Sequence, residues 1–76
     1  MSDTLITSES KSTADVVFER LHADIVSLAI LPGAKISEAD IARRFGVSRQ
    51  PVRDAFSKLA NLGLLLIQPQ KATEVK

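Results

Sequence analysis

Apolar residues recur at helical intervals in three stretches of the chain. Val17, Leu21, Ile25 and Leu28 form one stripe, which predicts a first helix from about Ala14 to Ile30, with Asp15, Glu19, Arg20 and Ser27 on the opposite side. Ser12 or Thr13 supplies its N-cap oxygen, and Asp15, three after Ser12, completes a capping box. Pro32-Gly33 is the predicted stop. Ile41, Ala42 and Phe45 make the inner face of a second, shorter helix. It follows a second capping box, Ser37-Glu38-Ala39-Asp40, and ends near Phe45 at Gly46, where a tight turn calls for positive φ. The third stripe is Val52, Phe56 and Leu59 with Ala55 beside them. Ser48 is the predicted cap, Pro51 is tolerated in the first turn, and the helix runs out near Leu62 with Gly63 as its left-handed end. After it, Leu64 to Gln68 and Ala72 to Val75 read as two strands around a Pro69-Gln70-Lys71 turn. Leu65 and Ile67 are the expected packing residues. A lone hairpin is weak, so it must lean on the helices. Residues 1–12 are polar, Ser/Thr-rich and aperiodic, and read as a flexible tail.

The second and third helices are separated only by Gly46-Val47-Ser48, the spacing of a helix-turn-helix. Ala42 is small where the helices approach, Gly46 follows at the turn, and Val52 packs the third helix back on the second. This arrangement leaves the third helix a second face. Arg49 and Arg53, four residues apart, project together, with Gln50 and Ser57 as neighbours. In a helix-turn-helix such residues meet base edges in the major groove. A guanidinium can hold guanine O6 and N7 together, and a glutamine amide can pair in the same way with adenine. Ser48 and the N–H groups of the first turn suit a phosphate oxygen.

Composition narrows the alternatives. At 76 residues the chain is one small domain with no room for a large buried cavity. Without cysteine it has neither disulfides nor thiolate metal sites, and its single histidine, His22, cannot build a metal centre alone. No cofactor is expected. No apolar run is long enough to span a bilayer, and the first residues lack a signal-peptide pattern, so the expected location is the cytoplasm. Net charge is only +1, but it is unevenly placed. Residues 1–34 carry two bases against five acids, a net −3. Residues 35–76 carry eight bases against four acids, a net +4, which is the asymmetry of a phosphate-facing surface. Glu38 and Asp40 are not an acid/base pair, because positions two apart point to different helix faces and capping explains both. No nucleophile–base pair or phosphate-cradling glycine loop is present, and the chain is not expected to be an enzyme.

The run LPGAKISEADIARRFGVSRQPVRDAFSKLANLGLL resembles the N-terminal domain of GntR-family transcription regulators, within the FadR-like branch. The resemblance covers about Val16 to Val75. It rests on Leu31-Pro32-Gly33, Ile36-Ser37-Glu38, Ile41-Ala42, Phe45-Gly46-Val47-Ser48-Arg49, Pro51-Val52-Arg53, Leu59 and Gly63-Leu64. It implies a mainly α, three-helix winged helix-turn-helix with a small β-hairpin over 13–76. The recognition helix would be about 49–62 and the wing about 64–75. It places Ser48, Arg49, Gln50 and Arg53 where the family contacts DNA, and Gln70 and Lys71 at a wing tip that reaches the minor groove or backbone. Two details depart from the pattern: the wing lacks a glycine, and Asp54 stands where Glu is usual. Full-length relatives carry a C-terminal effector and dimerising domain, absent from this chain. The implied partner is therefore double-stranded DNA with a near-palindromic operator, bound by a homodimer formed through that domain, in a bacterial transcription regulator, with repressor and activator both open.

Other residues take simpler readings. Arg43 and Arg44 suit the negative end of the second helix and are also candidates for phosphate contacts. Lys35, Lys58 and Lys76 read as solvated, His22 as a surface helix residue, and Phe18, Phe45 and Phe56 as core. Two other functions stay open: a winged helix used as a protein-interaction module, and sequence-independent nucleic-acid binding through the basic half.

Overall fold

The computed structural model describes residues 12–68 and 72–76. The predicted turn residues Pro69, Gln70 and Lys71 and positions 1–11 of the predicted tail lie outside them. Ser12, the last residue of that tail, is instead the cap of helix α1 (Thr13–Val26). Its hydroxyl accepts the Asp15 N–H at 3.1 Å, and the Asp15 carboxylate accepts the Ser12 N–H at 3.4 Å, so the capping box is complete.

Val17, Leu21 and Ile25 are buried as the stripe predicts. The helix nevertheless ends at Val26, four residues before the expected Ile30, and Pro32-Gly33 is not its stop. Leu28 adopts a left-handed φ of 66° and is 58% exposed rather than part of the stripe. The Leu28 N–H donates to the Ile25 carbonyl (3.2 Å) and the Ile30 N–H to the Asp24 carbonyl (3.0 Å). These bonds satisfy last-turn carbonyls and offset the ~1–2 kcal/mol that a left-handed leucine costs.

The early turn frees the chain to form a strand the sequence pattern did not predict, β1 (Lys35–Ile36). Ser37 then caps α2 (Glu38–Phe45), accepting the Asp40 N–H at 3.0 Å. Only this half of the second capping box forms; the Asp40 carboxylate accepts from Arg43 at 3.4 Å. Gly46 turns the chain with φ 68°, and the Val47 N–H returns to the Ala42 carbonyl at 3.0 Å. Helix α3 (Arg49–Asn61) follows and ends at Leu62-Gly63, as predicted. Ser48 holds its N-cap position, but the hydroxyl makes no capping bond.

Strands β2 (Leu65–Leu66) and β3 (Thr73–Val75) are shorter than the predicted runs. With β1 they make an antiparallel sheet in the order β1-β3-β2, so the expected hairpin is two strands of three. Lys35 faces Glu74 and Ile36 faces Thr73 on one side; Leu65 faces Val75 and Leu66 faces Glu74 on the other. Leu65, Thr73 and Val75 turn inward. Ile67, expected to pack, is 45% exposed. The ladder ends at Leu66↔Glu74, and beyond it strand alternation no longer governs where a side chain points.

The core lies around α3. Val52, Ala55, Phe56 and Leu59 are each at most 1% exposed, against Val17 and Leu21 of α1, Ile41 of α2 and Val75 of β3. Burying each of the larger side chains contributes ~1.5–3 kcal/mol. Phe18 and Phe45 are half-buried and pack against this cluster. Lys58 is not simply solvated: its Nζ donates to Asp15 at 2.8 Å and lies 5.8 Å from the Phe18 ring centroid, tying α3 to α1.

Candidate nucleic-acid interface

A helix whose inner face is closed by Val52, Ala55, Phe56 and Leu59 must turn the remaining positions of its first three turns to solvent. Ser48, Arg49, Gln50, Arg53 and Ser57 are all exposed, in one band along α3. They stand on a rigid element packed against α1 and α2, so their spacing is set by backbone geometry.

The band is internally organised. Gln50 Nε2 donates to Asp54 Oδ1 at 3.0 Å, one helical turn on. Arg53, with 58% of its side chain exposed, donates through Nε and Nη2 to the two oxygens of Glu38, at 3.4 and 3.3 Å. Arg49 makes no ion pair among the described residues. It borders a shallow hollow of about 200 Å³ between the start of α3 and the sheet, shared with Glu38, Ile67 and Thr73. The first turn of α3 therefore lies next to the base of the wing.

Arg43 and Arg44 are exposed in the last turn of α2, and Arg43 pairs with Asp40 at 3.4 Å. Together with Lys35 of β1 they rim a second hollow of about 300 Å³. The structure thus gathers Arg43, Arg44 and Lys35 on one patch and Ser48, Arg49, Gln50, Arg53 and Ser57 on another. The two remaining predicted contacts, Gln70 and Lys71, lie outside the described residues.

Glu38 is the residue that sequence reasoning missed. As the first residue of α2 it is explained locally by helix polarity. Its partner is fifteen positions away, and only the helix-turn-helix geometry brings them together. Elsewhere, His22 is half-buried with its ring 5.6 Å from Phe18. Among the described residues no group of three acidic, histidine or cysteine side chains could hold a metal ion, and no helix is long and apolar enough to cross a membrane.

Comparison with known proteins places this geometry. Residues 13–75 match the bacterial regulatory proteins of the gntR family. The chain is 49% identical over 59 residues to the HTH-type transcriptional repressor RspR of Escherichia coli K12, covering 78% of this chain and 26% of RspR. It is 33% identical over 67 residues to the HTH-type transcriptional regulator Mce2R of Mycobacterium tuberculosis, covering 87% of this chain and 28% of Mce2R. The chain therefore spans about a quarter of the length of these relatives. Among solved structures, the DNA-binding domain of AraR in complex with operator ORX1 superposes with a TM-score of 0.81 at 31% identity, covering 91% of this chain and 84% of that one. The same domain with operator ORE1 gives 0.80 at 33% identity, covering 87% and 82%.

Proposed function

The chain belongs to the gntR family of bacterial regulatory proteins, and from that premise we propose that it reads double-stranded DNA by sequence, as the DNA-binding domain of a transcription regulator. The observation that carries this reading is the solvent band of α3: two arginines and a glutamine on a helix pinned from behind, in the fold that AraR sets on its operators. In this reading α3 enters the major groove. Arg49 and Arg53 hold guanine edges and Gln50 an adenine edge, each good bidentate pair contributing ~1–3 kcal/mol of discrimination. Ser48 and Ser57 reach the strand beside them. Arg43 and Arg44 face phosphates, which set register but carry no sequence information. Gln70 and Lys71 of the wing lie along the neighbouring backbone.

Residues 13–76 are the DNA-reading domain, with Ser12 as the cap of its first helix, and the branch is the FadR-like one. In a longer regulator, dimerisation outside this domain pairs two copies on a near-palindromic operator with half-sites about one helical turn apart. Its place is the cytoplasm, where bacterial DNA is, and its effect is repression, as the name of RspR states for that relative. Its chemistry is binding, without a catalytic step.

The test begins with selection of bound duplexes from a random pool, followed by titration of the selected and scrambled duplexes at matched salt. The chain should prefer the selected duplex by more than tenfold. Arg49→Ala and Arg53→Ala should each lose preference at particular base pairs. Equal affinity for both duplexes would instead favour sequence-independent binding, and no binding to either would favour a protein-interaction module.

A further inference from the structure

A guanidinium has five N–H donors arranged on two usable edges. The side edge carries Nε–H with one N–H of Nη2; the end edge carries N–H groups of Nη1 and Nη2. Each edge can hold one paired acceptor, a carboxylate or the O6/N7 pair of guanine, and the two edges can be occupied together because they use different N–H groups. In this structure the choice is already made for one of the two arginines. Glu38 accepts from Arg53 Nε at 3.4 Å and from Nη2 at 3.3 Å, one carboxylate oxygen to each.

We infer that Glu38 is a positioning residue for base reading: it holds the side edge of Arg53 and leaves the end edge facing outward for a guanine. The inference rests on the function proposed above. Two features of the pair support it. Glu38 is the less exposed partner, with 29% of its side chain accessible against 58% for Arg53, so the carboxylate is the fixed member and the guanidinium the presented one. Glu38 also stands in the first turn of α2, whose position relative to α3 is fixed by the buried Ile41, Ala42 and Val52. The plane of the guanidinium is thereby set before DNA arrives, which removes rotamer freedom that binding would otherwise have to freeze. Arg49 has no such partner among the described residues, so the two arginines differ in pre-organisation although they share a helix face.

The test uses the 76-residue chain, a duplex selected by it from a random pool, and the same duplex with each G·C pair replaced in turn by A·T. Arg53→Ala identifies the pair that Arg53 reads, as the position where preference is lost. Glu38→Ala should lower the preference at that pair by about three- to fivefold, near the most an exposed ion pair contributes, and leave the other positions unchanged. Glu38→Gln keeps the size but replaces one acceptor oxygen by a donor NH2 group, which cannot accept from the second N–H, and should behave like Glu38→Ala. In the Arg53→Ala background, Glu38→Ala should change preference nowhere. An unchanged preference in Glu38→Ala and Glu38→Gln would overturn the inference alone. So would a uniform loss across all base pairs, the signature of a merely structural role. An Arg53→Ala chain that keeps its preference at every pair would overturn the inference, because Arg53 would then read no base; a wild-type chain that binds selected and scrambled duplexes equally would overturn the function proposed above.

Discussion

The helix-turn-helix and the sheet are built in opposite ways. From Ser37 to Gly63 each element is bounded by its own residues: a serine hydroxyl at the start of α2, Gly46 at φ 68° between the helices, Gly63 at φ 80° after α3. The sheet has almost nothing local. Its strands are two or three residues long, and β1 meets β3 across 37 positions, from Ile36 to Thr73. What holds it is the core beneath, through Leu65, Thr73 and Val75. The half that presents the arginines is therefore self-specified and rigid, while the half that would carry the wing depends on α3 for its place.

The contrast is broken most forcefully at α3. Phe56→Ala leaves a cavity at the centre of the core and should cost about 3–5 kcal/mol, a large share of the ~5–15 kcal/mol that holds a typical domain folded. Ile67→Ala at the sheet end, 45% exposed, should stay within about 0.5 kcal/mol. Urea denaturation of the two variants compares them directly. Similar losses would mean that the strand end carries as much packing as α3.

Gly46→Ala comes next. A Cβ there would meet nothing within 4 Å, so no clash contributes. The whole cost lies in the left-handed backbone, about 1–2 kcal/mol. Denaturation should show that loss. A neutral result would mean that the turn is held by its flanking helices and not by its own glycine.

This difference also explains what the sequence made legible. Capping boxes, glycines and apolar stripes are short-range signals, and α2 and α3 were readable from them almost to the residue. The band of Ser48, Arg49, Gln50, Arg53 and Ser57 followed from the stripe opposite it. Pairings across many positions were not legible. Strand β1 is two residues with no alternation to read, and Glu38–Arg53 and Lys58–Asp15 join residues fifteen and forty-three apart. Leu28 misled for a different reason: it continues the stripe of α1 in sequence, but the helix ends at Val26 and the backbone turns left-handed at Leu28 itself.

A smaller effect separates the two serines that looked alike in sequence. Ser37 accepts the Asp40 N–H, whereas Ser48 makes no side-chain capping bond. Ser37→Ala should cost about 1 kcal/mol of stability. Ser48→Ala should cost less than about 0.5 kcal/mol in stability and, if its hydroxyl meets a phosphate, weaken all duplexes alike. Thermal unfolding with DNA titration separates the two roles. A full capping cost at Ser48 would count against a hydroxyl left free for DNA.

The smallest effect probes the link that holds α1 to the recognition helix. The Asp15 carboxyl is held below its ordinary value of 3.8, first by the hydrogen bond from Lys58, then by the Ser12 N–H, with the Lys58 charge adding to both. A carboxyl lowered on folding stabilises the native state while it is ionised. Its contribution is complete above the unfolded value and is lost as pH falls through the lower, folded one. Near neutral pH the link is therefore intact, and it fades only below about pH 4. Other carboxylates titrate in the same window, so the informative quantity is the difference in unfolding midpoint between the wild type and Asp15→Asn. That difference should be small near neutrality, because the group is exposed and screened by salt. It should shrink toward zero as pH is lowered through the acid range. A difference that stayed unchanged from neutral pH into strong acid would show that the asparagine acts only through its shape at the cap of α1, and that the Lys58 charge contributes nothing to joining the two helices.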